Sequence, residues 1–213
     1  MWGFELNDSQ SSREGYVAMK FPGITALRTN AWEYPGGTYG ILSYQKTATF
    51  LKTLENLLGQ TQMEKTMRSY FNKHKFTHPE PQDFVAIVKD TNPNLKPEIQ
   101  TFVNEAIYTA NYCDYSIKNI QGITLDVDKK GSLNLPVELL IEFVDGSKKS
   151  LFINESKILD FEKPIAKAIL DPRNVNWMDL NWVNNSKSAE DQNLPFYLKY
   201  ASKWVFYLQN IWV

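Results

Sequence analysis

Between Thr38 and Leu58 the apolar positions Ile41, Tyr44, Ala48, Leu51, Leu54, Leu57 and Leu58 recur at helical spacing, and Gly59 follows as a stop. The spacing predicts a helix over 38–58, with Tyr44 in its first turns on or beside the buried stripe. Met63, Met67, Tyr70 and Phe71 continue the period and predict a second helix over 61–74. Pro79 and Pro81 then punctuate the chain, and Asp83 or the residues just before it are placed to cap a short helix, DFVAIVKD. After Pro97, PEIQTFVNEAIYTA reads as a fourth helix. Four helices with short links predict a compact bundle piece. Residues 1–35, broken by SQSS and FPG and followed by YPGG, read as irregular.

The pattern changes near residue 111. DYSIKNI, GITLDV, VELLIEFV and KSLFIN read as short strands. In VELLIEFV, Val137, Leu139, Ile141 and Phe143 point one way and Glu138 and Glu142 the other. Val144-Asp145-Gly146-Ser147 is a hairpin turn, because Asp-Gly suits positive φ angles. KAILDP and a strand near NWMDLNW complete a β-sandwich of immunoglobulin-like type, reduced in size. The tail from Pro195 has Leu198, Ala201, Trp204, Val205, Leu208, Ile211 and Trp212 on one helical stripe. It reads as a helix docked on the body or on a neighbouring domain. Lys199 and Lys203 are fewer cations than an interfacial membrane helix carries.

The expected fold class is therefore α+β. A helical portion spans residues 1–110, a small β-sandwich 111–190 and an amphipathic helix 191–213. Composition adds little that discriminates. The chain has 213 residues, is 43% apolar and carries a net charge of −1, which gives no footprint for nucleic acid. No stretch approaches the roughly 20 apolar residues of a membrane span. The first 16 residues have neither the basic start nor the apolar core of a signal peptide. One cysteine, Cys113, excludes an internal disulfide framework without fixing the compartment. Six Trp, 11 Tyr and 12 Phe fill either a ring-rich core or a surface that packs on other domains.

Tyr39, Tyr44 and Lys46 form the motif Y-x4-Y-x-K, followed by the helix end LENLLG. Together with WEYPGGTYGILSYQK, MRSYFNKHKFTHPEPQDF, ANYCDYSIKNI, the VDG hairpin and ILDPRNVNWMDLNWVNNS, in that order, the motif resembles the late part of the M1 family of zinc aminopeptidases. The resemblance implies a peptidase that removes N-terminal residues from peptides. It implies that Tyr44 donates a hydrogen bond to the oxyanion of the tetrahedral intermediate and that Tyr39 lines the substrate cleft. Lys46 matches the lysine of the family's Y-x-K-G, whereas Thr47 replaces its glycine. The chemistry is sound in general terms. Losing one donor aimed at a developing oxyanion costs about 100- to 1000-fold in rate, and a phenol stays protonated at neutral pH.

The chain contains no H-E-x-x-H. Zinc and the general-base glutamate are therefore expected from upstream sequence of a longer parent, with no metal ligand and no cofactor in this chain. The expected partners are the parent's peptide substrate and its upstream domains, or a second copy of the fragment. The alternative is a non-catalytic interaction or scaffold module derived from the same fold.

Other motifs carry less. His74 and His78 are four apart, but Pro79 and the absence of an intervening glutamate argue against a helical metal pair. Cys113 has no histidine near it in sequence and reads as an inert half-buried thiol. Asp171, Asp179 and the asparagines around them lack the spacing of a calcium loop and read as turn chemistry.

Overall fold

The computed structural model describes residues 8–189. The helix expected over 191–213 lies outside the described residues. The described residues are α+β, with five α-helices followed by two antiparallel sheets of three and four strands.

Helix α1 (Asp8–Val17) falls in the stretch expected to be irregular. Its sequence is polar, and its stability comes from the body it packs on. Tyr16 is fully buried, and the Arg13 guanidinium donates to the Asp179 carbonyl at 2.7 Å while lying 3.5 Å over the Trp182 ring. Local periodicity carries no trace of such contacts.

The predicted first helix exists but is not uniform. A π-turn over Ile41–Lys46 leads without interruption into α2 (Thr47–Leu58). Gly59, at φ 82°, separates α2 from α3 (Gln60–His74). Helix α4 (Pro81–Thr91) opens on a capping box in which Glu80 and Asp83 each accept from the other's backbone N–H. Helix α5 (Pro97–Tyr108) starts on its proline. Phe50 and Leu54 of α2 meet Val88 of α4 and Phe102, Val103 and Ala106 of α5 in the buried core. Apart from Ala106, each such side chain contributes about 1.5–3 kcal/mol by leaving water.

The strands are β1 (Asp114–Gln121), β2 (Thr124–Lys130), β3 (Val137–Phe143), β4 (Lys148–Ile153), β5 (Lys157–Asp160), β6 (Ile165–Leu170) and β7 (Ser186–Ser188). One sheet has the order β1-β2-β5 and the other β4-β3-β6-β7. Strand β3 alternates as read from sequence, with Val137, Leu139, Ile141 and Phe143 all buried. The turn into β4 places Gly146 at φ 81°, and the Gly146 N–H donates to Phe143. Tyr115, Ile117, Leu125 and Val127 of the first sheet share one core with Leu139, Ile141, Ile165 and Leu170 of the second. The helical core belongs to the same cluster, so both parts are packed as one body.

Strands β5 and β7 are too short to stand out in sequence. The strand expected near NWMDLNW is not formed. Asp179 makes only an isolated bridge to Cys113, and a 3₁₀ turn (Trp182–Asn185) follows. Side chains satisfy this segment's backbone instead of a ladder. Asn176 accepts from the Met178 N–H, Asp179 from the Asn181 N–H, and Asn181 from the Val183 N–H.

Candidate functional site

The expectation that Tyr44 lies on or beside the buried stripe is corrected by the structure, in which Tyr44 is 66% exposed. The cause is the π-turn. In a regular α-helix, residues five apart point about 140° away from each other. A π-turn absorbs one extra residue, so a five-residue step acts as a four-residue step and stacks the side chains. Tyr39 and Tyr44, which flank that extra residue, accordingly meet edge to face with ring centroids 6.0 Å apart. Within the same turn Leu42 and Lys46 face the body and are fully buried.

A third ring extends the pair. Tyr34 packs edge-on against Tyr39 at 5.5 Å, and its hydroxyl donates to the Leu27 carbonyl at 2.8 Å. Tyr34 was not singled out from the sequence, although it sits in WEYPGG just before the motif. The Tyr44 hydroxyl has no hydrogen-bond partner among the described residues, so it is free to donate outward. Trp32, 82% exposed, lies in the loop that leads to this aromatic ladder.

Beneath the tyrosines the turn is fixed from two sides. The Gln45 side chain lies so close to Gly15 of α1 that a Cβ on Gly15 would overlap it. The Thr47 hydroxyl donates to the Leu42 carbonyl at 3.2 Å. Lys46, read from sequence only as a motif member, is a buried amine with no hydrogen-bond partner for its Nζ among the described residues. Burial pushes it down to about 8, partly offset by the nearby Cys113 thiol.

Cys113, read from sequence as a half-buried thiol, lies deeper than that. It is fully buried, and burial pushes its thiol up to about 12, with Asp179 acting in the same direction and the Asn176 amide opposing. Asp179 is buried beside it and is pushed up to about 6 by burial, against the donor amide of Asn185. Asp171, at φ 47°, accepts from the N–H groups of Val175 and Asn176 at 2.9 and 2.8 Å. This is the turn chemistry expected of that run, and the same loop also fastens the sheets to α2. The Trp177 N–H donates to the Thr53 hydroxyl, and the Asn56 amide reaches the Asn174 and Val175 carbonyls.

His74 and His78 are not brought together on one helix. Helix α3 ends at His74, and Phe76 takes a left-handed φ of 64° before His78. Among the described residues no group of three or more His, Cys, Asp or Glu side chains is placed to hold a metal ion. No helix among the described residues is long and apolar enough to cross a membrane. A groove of about 1010 Å³ lies at the opposite end of α2, walled by Leu57, Leu58, Leu95, Ile99 and Phe152. Neither tyrosine of the motif lines it, so the motif and the groove are separate features.

No curated protein matches this chain. A family model does. Residues 18–105 match the peptidase family M1 domain, from just after α1 into α5, with Tyr34, Tyr39, Tyr44 and Lys46 inside the match. Over that stretch, which holds the π-turn and its aromatic ladder, the chain is similar to the peptidase family M1 domain.

Proposed function

We propose that this chain is the C-terminal part of a zinc aminopeptidase and supplies the tyrosine that stabilises the oxyanion during hydrolysis of an N-terminal peptide bond. The family match supports a peptidase origin. The observation that carries the finer reading is the exposed, unpartnered hydroxyl of Tyr44, held beside Tyr39 on the π-turn. Tyr44 donates a hydrogen bond as negative charge develops on the carbonyl oxygen. Its position is set before the substrate arrives, so no reorganisation is needed at the moment of attack. Tyr39 supports the Tyr44 ring and offers its own edge to the peptide. The metal ligands and the general base come from sequence outside residues 1–213, so the isolated chain is inactive and binds no stoichiometric zinc.

The test is made on the longer protein encoded by the native reading frame. Tyr44→Phe there lowers kcat/KM on an aminoacyl substrate by about 100- to 1000-fold while leaving the unfolding midpoint in place. Unchanged turnover in that variant overturns the role of Tyr44. A longer protein with no metal-binding motif overturns the peptidase reading and leaves a non-catalytic interaction module. Zinc-dependent activity of the isolated chain overturns the division of the site.

A further inference from the structure

We infer that Thr47 is a positioning residue for Tyr44, because its hydroxyl on the Leu42 carbonyl closes the widened turn that brings Tyr44 beside Tyr39. The neighbouring threonines supply the contrast. Thr49 and Thr53 donate to the carbonyls four residues back, at Gln45 and Thr49, as a threonine in a regular helix does. Thr66 of α3 does the same to Gln62. Thr47 alone among these four reaches back five residues. Its bond spans the same extra residue that separates Tyr39 from Tyr44.

The physical consequence is a register. If the turn tightened to an α-helical one, the chain before it would rotate by about 100° relative to α2. Tyr39 would swing off the face that carries Tyr44, and the ring contact at 6.0 Å would be lost. Phe50 and Leu54 of α2 are buried in the core and Thr53 of α2 accepts from the Trp177 N–H, so α2 itself is anchored. The movement would fall on the segment bearing Tyr39. The inference rests on the proposed role of Tyr44 only for its effect on catalysis, since the geometry stands without it.

Two readouts test it. In this chain, labelled with 3-fluorotyrosine for chemical shifts and unlabelled for ring-to-ring nuclear Overhauser effects, Thr47→Val and Thr47→Ala remove the hydroxyl, and Thr47→Ser keeps it. Alanine guards against a misfit of the bulkier valine. The expected result is loss of the Tyr39–Tyr44 ring contact in Val and Ala and its retention in Ser. Persistence of the contact in Val and Ala overturns the inference, as does its loss in Ser. In the longer enzyme, Thr47→Val is expected to lower kcat about five- to tenfold with KM unchanged, the scale of one neutral hydrogen bond, and Ser restores it. If Tyr44→Phe lowers turnover as expected and Thr47→Val does not lower kcat, positioning is overturned while the role of Tyr44 stands. If Tyr44→Phe leaves turnover intact, the role of Tyr44 is overturned, and the ring contact still decides the claim about Thr47.

Discussion

Tyr39 and Tyr44 stand edge to face, five residues apart in sequence and 6.0 Å apart between ring centroids. The contact exists because a π-turn over Ile41–Lys46 lies between them. The same turn exposes Tyr44, buries Lys46 and aims the Thr47 hydroxyl at Leu42. One extra residue in a helical turn thus converts an apolar stripe into a surface that presents a phenol. Such turns recur where a helix serves a functional site.

The ring pair is an orienting contact more than a source of stability. Tyr39→Leu removes an edge-to-face contact worth about 0.5–1.5 kcal/mol and leaves an apolar side chain at a half-exposed position. The expected loss in urea unfolding is under about 1 kcal/mol, with a clear change in the fluorine resonance of labelled Tyr44. A loss above about 3 kcal/mol would mean that Tyr39 is a core residue, contrary to its exposure.

Lys46 has the opposite character. Its folded-state value is depressed to about 8 from 10.5 by burial. A depressed base contributes stability that is present above about pH 10.5 and is lost as pH falls through about 8. At pH 7 the buried charge is therefore a cost. Lys46→Met keeps the bulk without the charge and is expected to stabilise the fold at pH 7 by about 1–3 kcal/mol. The difference between variant and wild type should shrink toward pH 10. Urea unfolding of both proteins at pH 7 and pH 10 measures it. A variant less stable than wild type at pH 7 would show that the amine is favourably paired.

Cys113 is expected to resist thiol reagents. It is fully buried and its thiol is pushed up to about 12, chiefly by burial, so the thiolate that reacts is scarce. In the native chain at pH 8 a disulfide-exchange dye should label it only on the timescale of global unfolding, and at once in denaturant. Fast native labelling would place Cys113 on an opening segment.

Gly131 tests the link between the helical half and the sheets. It sits at φ 76° after β2, and a Cβ there would lie 2.1 Å from the Tyr112 carbonyl oxygen. That oxygen also accepts from the Leu133 N–H, so it is not free to retreat. Gly131→Ala should therefore lower stability by more than about 2 kcal/mol through strain and a backbone clash together. Gly36→Ala is the control, because a Cβ at Gly36 meets nothing within 4 Å. It should change the unfolding midpoint little or raise it slightly. Equal effects from the two substitutions would refute the argument.

The sequence by itself determined the elements whose burial repeats with a fixed period. Helices α2 to α5 announce themselves through apolar spacing closed by Gly59, Pro81 and Pro97, and β3 through strict alternation. The Asp-Gly hairpin was legible for equally local reasons. The motif residues Tyr39, Tyr44 and Lys46 were legible too, through a resemblance that the family match over 18–105 supports. Tertiary structure alone decided three things. Helix α1 forms because Tyr16 is buried in the common core and Arg13 finds Asp179 and Trp182 across the fold, where no local pattern reaches. The NWMDLNW run becomes a loop because Asn and Asp side chains satisfy its backbone and fasten it to α2. Tyr44 faces outward and Lys46 inward because a single widened turn shifts the phase of the helix. Periodicity counts residues at 3.6 per turn, so the place where that count changes is visible only once the chain has packed.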